Sequence, residues 1–490
     1  MLQPVVAIFS MCGGDRSVSR RSLLRAGGIA VSLGGLSLSQ ISRDVRGDSE
    51  DFWGMSQHDA ANTGYNSSTT GPRGNLISNW EFETSKSVYS APVVTRTHVY
   101  ATDSDGIIRS IERNNGTGVW RFETNQSTSG GSHVSSPALA NETLYVGSLD
   151  QRVYALSASD GTRQWTAGTG GGIVSSPTLA GDTVYISSND ASVYALNAEN
   201  GRKRRSYPTV GEVSAAPAVV NNTVYIGANA SPYQEGNFYA LDSQTGSEKR
   251  NFEAEGAIAA SVVASDEAIY VGDSSGMLYC LNSNEGSEKW SLDTGGAITS
   301  TLVSTEQLVC AVAGETVYAV NKQEGAVVWR FSIGYNSTSD ISASESTLYV
   351  GDSDGFVRGL ALRDGLERAR FKAGDSVYSV PAVADNTVYI GDDDGYICSL
   401  VDDRSNSTDG TSSSVDQAAT KRDQSNTVDS RTKSQNENAI TASNNGTSPS
   451  DTLSGVVFGL SATDSILSII ASIVAIVLGV LGYRRQKKRY

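Results

Sequence analysis

The sequence predicts an all-β, eight-bladed β-propeller with four-stranded antiparallel blades, followed by a C-terminal transmembrane helix. Three observations support this. A stretch of about forty residues recurs along the chain, each copy contains four short strand-like runs, and one uncharged apolar run stands near the C-terminus. The 490-residue chain also contains 50 glycines, which suits a protein made of tight hairpins.

The repeat unit is clearest in residues 134–169. Its four hydrophobic or alternating runs are Ser136–Leu139, Thr143–Gly147, Arg152–Leu156 and Arg163–Thr166. Turn-forming residues bound each run, and each is too short for a helix but long enough for a strand. One copy therefore predicts a four-stranded antiparallel meander.

One position in the second run recurs in every copy, and its eight occurrences give the number of copies. It is Tyr100, Tyr145, Tyr185, Tyr225, Tyr270, Val309, Tyr349 and Tyr389. Four strands recurring at this spacing are typical of a β-propeller. We therefore assign residues 79–401 to one closed domain.

The ends of the repeat region predict how the ring closes. Residues 79–84 (NWEFET) nearly repeat residues 119–124 (VWRFET), the fourth strand of the first copy, whereas the last copy stops after its third strand, Tyr396–Leu400. We expect the early strand to complete the last blade, which removes a seam of unpaired backbone.

The N-terminal 78 residues divide into two segments. In residues 1–40, Arg20 and Arg21 precede a weakly apolar run, a pattern that resembles a twin-arginine export signal. Residues 41–78 form a polar lead-in.

The C-terminal segment predicts a membrane anchor. Residues 402–454 are rich in Ser, Thr and Asn and predict a flexible stalk. Residues 466–483 carry no charge and predict a transmembrane helix, and the basic residues 484–490 that follow should stay in the cytoplasm. The propeller is then on the extracytoplasmic side of the cell membrane.

The composition favours an acidic protein of the cell surface. Residues 50–463 hold 27 Lys/Arg and 49 Asp/Glu, a net charge of −22, which argues against nucleic acid as a partner. The 10 lysines against 28 arginines favour a high-salt organism, such as a halophilic archaeon. Possible N-glycosylation sites of such a surface glycoprotein are Asn66, Asn115, Asn125, Asn141, Asn221, Asn336, Asn406 and Asn445.

The cysteines outside the leader are Cys280, Cys310 and Cys398. We interpret them as small buried residues rather than as a disulfide framework.

A family resemblance rests on the end of each repeat. The third strand, turn and fourth strand fit A-x-D-x-x-T-G-x-x-x-W with variations, and the tryptophans are Trp80, Trp120, Trp165, Trp290 and Trp329. This resembles the tryptophan-docking motif of PQQ-type (quinoprotein-like) propeller repeats, which occur in eight-bladed alcohol dehydrogenases and in non-catalytic BamB-like scaffolds. The pattern departs at Arg205, Arg250 and Ala369, where we expect looser contacts between blades.

The dehydrogenase branch implies PQQ beneath a disulfide of adjacent cysteines, with calcium beside it. The sequence has no adjacent cysteine pair. The inner-rim positions where cofactor ligands are expected are Ser90, Ser135, Ser175, Ala215, Ala260, Thr299, Ser339 and Ser379. These side chains cannot balance a tricarboxylate or act as a base. We therefore expect no catalytic residue and no cofactor.

The acidic loops Asp103–Gly106, Asp352–Gly355 and Asp392–Gly395 suggest two interpretations. They lie between second and third strands, where Asp-Gly is an ordinary hairpin turn. Calcium binding is the alternative, but none supplies the distal glutamate of a twelve-residue calcium loop. We expect turns and no metal site.

The resulting hypothesis is a membrane-anchored, non-catalytic binding or scaffold protein for an envelope protein, peptide or glycan. A PQQ-dependent dehydrogenase and a structural cell-surface component are the alternatives. We expect binding on the face where Tyr89 and Tyr378 become neighbours on ring closure. The longer loops 125–133 and 228–237, with His133 and Tyr233, should emerge on the same face.

Overall fold

The computed structural model describes residues 52–125, 135–228, 236–334 and 340–403. These ranges contain 33 β-strands arranged in eight sheets. In the same ranges, no helix is long and apolar enough to span a bilayer. The predicted export signal, most of the stalk, the transmembrane helix and the basic tail lie outside the described residues.

Each sheet is one blade of an eight-bladed propeller, and we number the blades along the chain. Blades 1 and 2 are formed by β3 (Val93–Val94), β4 (His98–Thr102), β5 (Ile107–Glu112), β6 (Gly118–Glu123), and by β7 (Ala138–Ala140), β8 (Thr143–Ser148), β9 (Arg152–Ser157), β10 (Arg163–Gly168). Blades 3 and 4 are formed by β11 (Thr178–Ala180), β12 (Thr183–Ser188), β13 (Ser192–Asn197), β14 (Lys203–Pro208), and by β15 (Ala218–Val220), β16 (Thr223–Ala228), β17 (Asn237–Asp242), β18 (Glu248–Glu253).

Blades 5 to 8 follow the same plan. Blades 5 and 6 are formed by β19 (Val263–Ala264), β20 (Ala268–Gly272), β21 (Met277–Asn282), β22 (Glu288–Asp293), and by β23 (Val303–Ser304), β24 (Leu308–Ala313), β25 (Thr316–Asn321), β26 (Val327–Ser332). Blade 7 is formed by β27 (Ile341–Ser344), β28 (Thr347–Gly351), β29 (Phe356–Ala361), β30 (Glu367–Lys372), and blade 8 by β31 (Ala382–Ala384), β32 (Thr387–Gly391), β33 (Tyr396–Asp402) with β2 (Leu76–Glu83). The short β1 (Tyr65–Asn66) pairs in parallel with β27.

The strand register confirms the repeat and corrects one marker. In blade 2, Tyr145 lies opposite Ala138, and in blade 6 Cys310, not Val309, holds the equivalent place opposite Val303. The sequence alignment was wrong by one residue there, because Cys310 replaces the tyrosine that identifies the position elsewhere.

The predicted ring closure is confirmed. Strand β2 is antiparallel to β33, with Trp80 opposite Ser399 and Glu83 opposite Tyr396. An early strand thus completes the last blade. It takes the place of the fourth strand that the last repeat lacks. The closing strand begins at Leu76, three residues before the predicted start.

Each tryptophan of the repeat motif docks onto the next blade. The indole N–H of Trp120 donates to the Ala158 carbonyl at 2.9 Å, and a Cβ on Gly161 would lie 2.5 Å from the same ring. Because Gly161 also has a φ of +71°, only glycine satisfies both the turn and the indole. Equivalent bonds are made by Trp80, Trp165, Trp290 and Trp329.

Two of the three departures from the tryptophan pattern still make a contact with the next blade. Arg250 donates to the equivalent carbonyl of the next blade, Ser283, at 3.2 Å. Arg205 donates to Thr245 at 2.7 Å, two residues beyond the equivalent carbonyl of Ser243, which accepts the Tyr207 hydroxyl at 3.0 Å. Ala369 has a different cause. Blade 8 takes its fourth strand from β2, so it has no turn between third and fourth strands to receive an indole from blade 7.

The sequence suggested a polar lead-in distinct from the propeller. In the structure, part of this segment packs inside the ring. Residues 53–66 cross the ring and bond the innermost strand of every blade. The contacts, from blade 1 to blade 8, are Trp53 with Val94, Gly54 with Leu139, the Met55 sulfur with Leu179, Ala60 with Val219, Ala61 with Ala264, Thr63 with Ser304, Gly64 with Ala343, and the Asn66 amide with Val383.

These contacts fall near the end of each innermost strand that leads to the second strand. The lead-in therefore fills that end of the central channel, and Trp53 is fully buried there. The innermost strands would otherwise present unpaired backbone groups to the channel. The lead-in thus stabilises all eight blades at once.

Candidate binding face

The meander gives the propeller two different faces. The turns between second and third strands and the connections between blades emerge on one face, which we call the crossover face. The turns between first and second strands emerge on the other, which we call the opposite face. Since the lead-in fills the channel at the opposite face, a ligand of the channel would have to approach from the crossover face.

The crossover face brings Tyr89 and Tyr378 together, as ring closure predicted. Their ring centroids are 5.9 Å apart with planes inclined by 37°. The Tyr89 hydroxyl donates to Asp393 Oδ1 at 2.6 Å, and burial followed by that carboxylate raises the pKa of Tyr89. The equivalent described positions are small or aliphatic: Val174, Ser214, Ala259 and Thr299. The aromatic pair is therefore confined to the seam between blades 8 and 1.

The inner-rim hydroxyls of Ser90, Ser135, Ser175 and Ser379 bond within their own blades. Ser90 accepts the Thr102 N–H at 2.8 Å and Ser135 accepts the Gly147 N–H at 3.0 Å, each within its own blade. These hydroxyls accept backbone N–H groups of the second strand beyond the end of the short innermost strand. In blade 6 this position is Ser300, which is buried, rather than the predicted Thr299, which is exposed.

The next residue of each blade faces its neighbour around the channel. Ser136 accepts the Ala91 N–H at 2.9 Å, and Asp340 Oδ1 accepts the Thr301 N–H at 2.6 Å. Burial raises the pKa of Asp340. The eight residues at this level are Ala91, Ser136, Ser176, Ala216, Ser261, Thr301, Asp340 and Val380.

These channel residues do not fit PQQ. The described positions at this level hold no Lys or Arg, and the one ionisable side chain is an acid that would repel a tricarboxylate. The lead-in occupies the other end of the channel. We therefore derive no step through a quinone.

The acidic loops are hairpin turns whose carboxylates are engaged locally. Asp103 Oδ1 accepts the Ile107 N–H at 3.0 Å, and Oδ2 pairs with Arg109 at 2.8 Å. In blade 7, Asp352 pairs with Arg358 at 3.1 Å in the same way. Among the described residues, no three His, Cys, Asp or Glu side chains are close enough to share one metal ion.

Asp392 in blade 8 differs from these two aspartates. It is 1% exposed, and Oδ1 accepts the Tyr396 N–H at 2.7 Å. Blades 1 and 7 place an arginine six residues after the aspartate, whereas blade 8 places Cys398 there. Burial of the carboxyl, with the nearby charges of Asp394 and Asp375, raises the pKa of Asp392 to about 6.

Other predicted site residues divide into three groups. His133, Tyr233, Asn336, Asn406 and Asn445 lie outside the described residues. Asn115, Asn125, Asn141 and Asn221 are exposed. Asn66 is 1% exposed and its amide donates to the Val383 carbonyl at 2.9 Å, so the folded protein does not offer it for glycosylation.

Cys280, Cys310 and Cys398 are free thiols buried in the blades, as expected of small core residues. Burial raises the pKa of the Cys310 thiol to about 12. Such a group stays protonated and acts as an apolar filler.

Comparisons with known proteins agree with the fold. No curated protein matches the chain significantly. BamB from Moraxella catarrhalis is 19% identical, with a TM-score of 0.57 over 66% of this chain and 97% of that one. Quinohemoprotein alcohol dehydrogenase from Comamonas testosteroni is 15% identical, with a TM-score of 0.65 over 72% of this chain and 80% of that one. At these identities the likeness concerns the fold alone.

The family assignment comes from the sequence model for the outer membrane protein assembly factor BamB, which matches residues 78–252, 249–371 and 313–413. The matched ranges start near the closing strand and include all eight blades. With the docked tryptophans and the closure by β2, this match shows that the chain belongs to the PQQ-type, BamB-like β-propeller family.

Proposed function

We propose that this protein is a membrane-anchored extracytoplasmic propeller that binds an envelope protein, peptide or glycan without catalysis. The observation that carries the proposal is the Tyr89–Tyr378 pair at the channel mouth of the crossover face. Aromatic rings that are half-buried at a rim of small residues offer a stacking surface for a sugar ring or a side chain.

The location rests on the sequence. The arginine pair at residues 20–21 supports export of a folded protein, and the uncharged run at 466–483 with its basic tail supports a single C-terminal anchor. Lysine substitution of Arg20 and Arg21 should retain the precursor inside the cell. Continued export would point to another route.

Replacement of both tyrosines tests the binding face. We expect Tyr89→Ala with Tyr378→Ala to reduce capture of the partner from a cross-linked envelope at least tenfold, with little change in melting temperature, because both rings are partly exposed. The matched control substitutes Asn141 and Asn221, which are exposed turn residues of the opposite face. Loss of capture in the control but not in the tyrosine variant would mean that the wrong face was chosen.

The dehydrogenase alternative has a direct test. The purified protein should show no bound-quinone spectrum and no dye-linked alcohol oxidation after addition of PQQ and calcium, because the described channel residues lack a counter-charge for the quinone carboxylates. A saturable quinone signal with turnover would replace the scaffold proposal by an enzyme.

A further inference from the structure

In blade 7, three cationic side chains of the blade itself surround an aromatic ring at the crossover face. The Phe356 ring centroid lies 4.9 Å from the Arg358 guanidinium carbon, 5.4 Å from that of Arg370 and 5.1 Å from Lys372 Nζ. Arg358 also pairs with Asp352 and, at 3.1 Å, with Glu367. This arrangement shows that the site geometry accommodates guanidinium groups beside the ring and the acids.

Blade 8 keeps the ring and replaces every cation. In blade 7, Phe356 lies opposite Lys372, and Arg358 opposite Arg370. In blade 8, Tyr396 lies opposite Glu83, and Cys398 opposite Glu81. Two adjacent blades of one fold therefore carry opposite charges around equivalent aromatic rings.

The groups around Tyr396 form what we call the acidic cradle: Tyr396, Glu81, Glu83 and Asp394. Glu83 is the largest cause of the raised pKa of Tyr396, and burial, Asp394, Glu81 and Asp392 act in smaller measure. The three carboxylates of the cradle are exposed and the ring is partly exposed, so a ligand can reach them.

A second observation points to a cation here. Asp392, which accepts the Tyr396 N–H at 2.7 Å, is 1% exposed, while two of its equivalents, Asp103 and Asp352, each pair with an arginine that fills the position of Cys398. A buried carboxylate is costly unless a positive group lies near it. Blades 1 and 7 supply an arginine at this position, and blade 5 supplies Tyr279, whose hydroxyl donates to the buried Asp273 at 3.2 Å, whereas blade 8 has the thiol of Cys398.

We propose that the acidic cradle binds an arginine-bearing segment of the partner protein, whose guanidinium takes the place held by Arg358 and Arg370 in blade 7. A guanidinium over an aromatic ring gains from the ring quadrupole, and neighbouring carboxylates accept its N–H groups. This inference rests on the proposed function and names the chemistry of its partner.

The probe is a fluorescein-labelled peptide of alternating glycine and arginine, measured by anisotropy on the full-length protein in detergent. We expect Glu81→Gln with Glu83→Gln to weaken its affinity at least tenfold. We expect Tyr396→Leu to weaken it about threefold, as loss of a cation–π contact implies. Melting temperatures of the variants should stay close to that of the parent protein, since the substituted groups are at the surface.

The matched control is Glu253→Gln with Asp293→Asn. These residues hold the position of Glu83 in blades 4 and 5, where they lie opposite Asn237 and Met277. The control removes the same charge and should change the affinity less than twofold. Equal weakening in both double variants would show attraction by net charge alone and overturn the proposal.

Two further outcomes count against the cradle. Undetectable peptide binding by the parent protein refutes it. So does displacement by free agmatine at the same arginine-group concentration, because that would indicate a small-molecule amine site. Neither outcome touches the proposed function, which is tested separately by envelope capture with the Tyr89 and Tyr378 variants and by the quinone assay.

Discussion

The substitution Asp392→Asn should change the stability of the folded protein by an amount that follows from the burial of this carboxyl. The carboxyl is 1% exposed, and the pKa of Asp392 rises from 3.8 to about 6. The folded protein therefore holds this proton more tightly than the unfolded chain does. Stability is lost as the pH rises from about 4 through 6, because folding then buries an ionised group.

The magnitude is about 3 kcal/mol once the group is fully ionised, at about 1.36 kcal/mol for each pKa unit. Asparagine keeps the acceptor for the Tyr396 N–H and carries no charge. We therefore expect Asp392→Asn to be more stable than the parent by about 3 kcal/mol at pH 7.5 and by about half as much at pH 5.

Urea unfolding at the two pH values, with salt held constant, measures the difference. The matched control is Asp352→Asn, which removes one of the two carboxylates paired with Arg358 and should destabilise at both pH values. An Asp392→Asn variant that is less stable than the parent at pH 7.5, or whose advantage does not shrink at pH 5, would refute the reasoning.

Three further changes test the fold. Trp53→Ala should cost about 3–5 kcal/mol in urea unfolding, because the indole is fully buried among the blades; a cost below about 1 kcal/mol would show that the lead-in does not stabilise the ring. Gly161→Ala should destabilise by more than about 1 kcal/mol, whereas Gly168→Ala, with nothing within 4 Å of its Cβ, should be nearly neutral; equal effects would contradict the docking account. Deletion of residues 76–83 should lower the melting temperature far more than deletion of residues 405–450, and the reverse order would contradict closure by β2.

Much of the fold could be predicted because the repeat carries its own evidence. Eight copies with one strand pattern predict the blades, and the similarity of residues 79–84 to 119–124 predicts the closing strand. Adjacency of Tyr89 and Tyr378 then follows from closure alone. The single misplaced marker arose at Cys310, where the repeated tyrosine is missing.

The lead-in could not be predicted from the same pattern. Residues 53–66 have no counterpart in the repeats, and they contact eight separated strands, six through backbone bonds and two through the side chains of Met55 and Asn66. Side-chain periodicity does not encode such contacts. The roles of Ser90 and Ser135 were missed for a similar reason, since only the register shows that their hydroxyls serve the second strand.

Alignment of the third strands of the repeats shows only part of the acidic cradle. Phe356 and Arg358 on the third strand of blade 7 correspond to Tyr396 and Cys398 in blade 8. The fourth-strand residues of blade 8, Glu81 and Glu83, stand more than 300 residues before Tyr396 and Cys398 in the chain. Only the strand pairing makes the charge reversal visible.

The central claim is that a partner binds the crossover face at the closing blade. Site-specific photo-cross-linking in intact cells tests it most directly, with a photoreactive phenylalanine analogue in place of Tyr378 and, separately, of Asn221 on the opposite face. We expect a cross-linked envelope partner from position 378 and none from position 221. A partner captured from position 221 alone would contradict it.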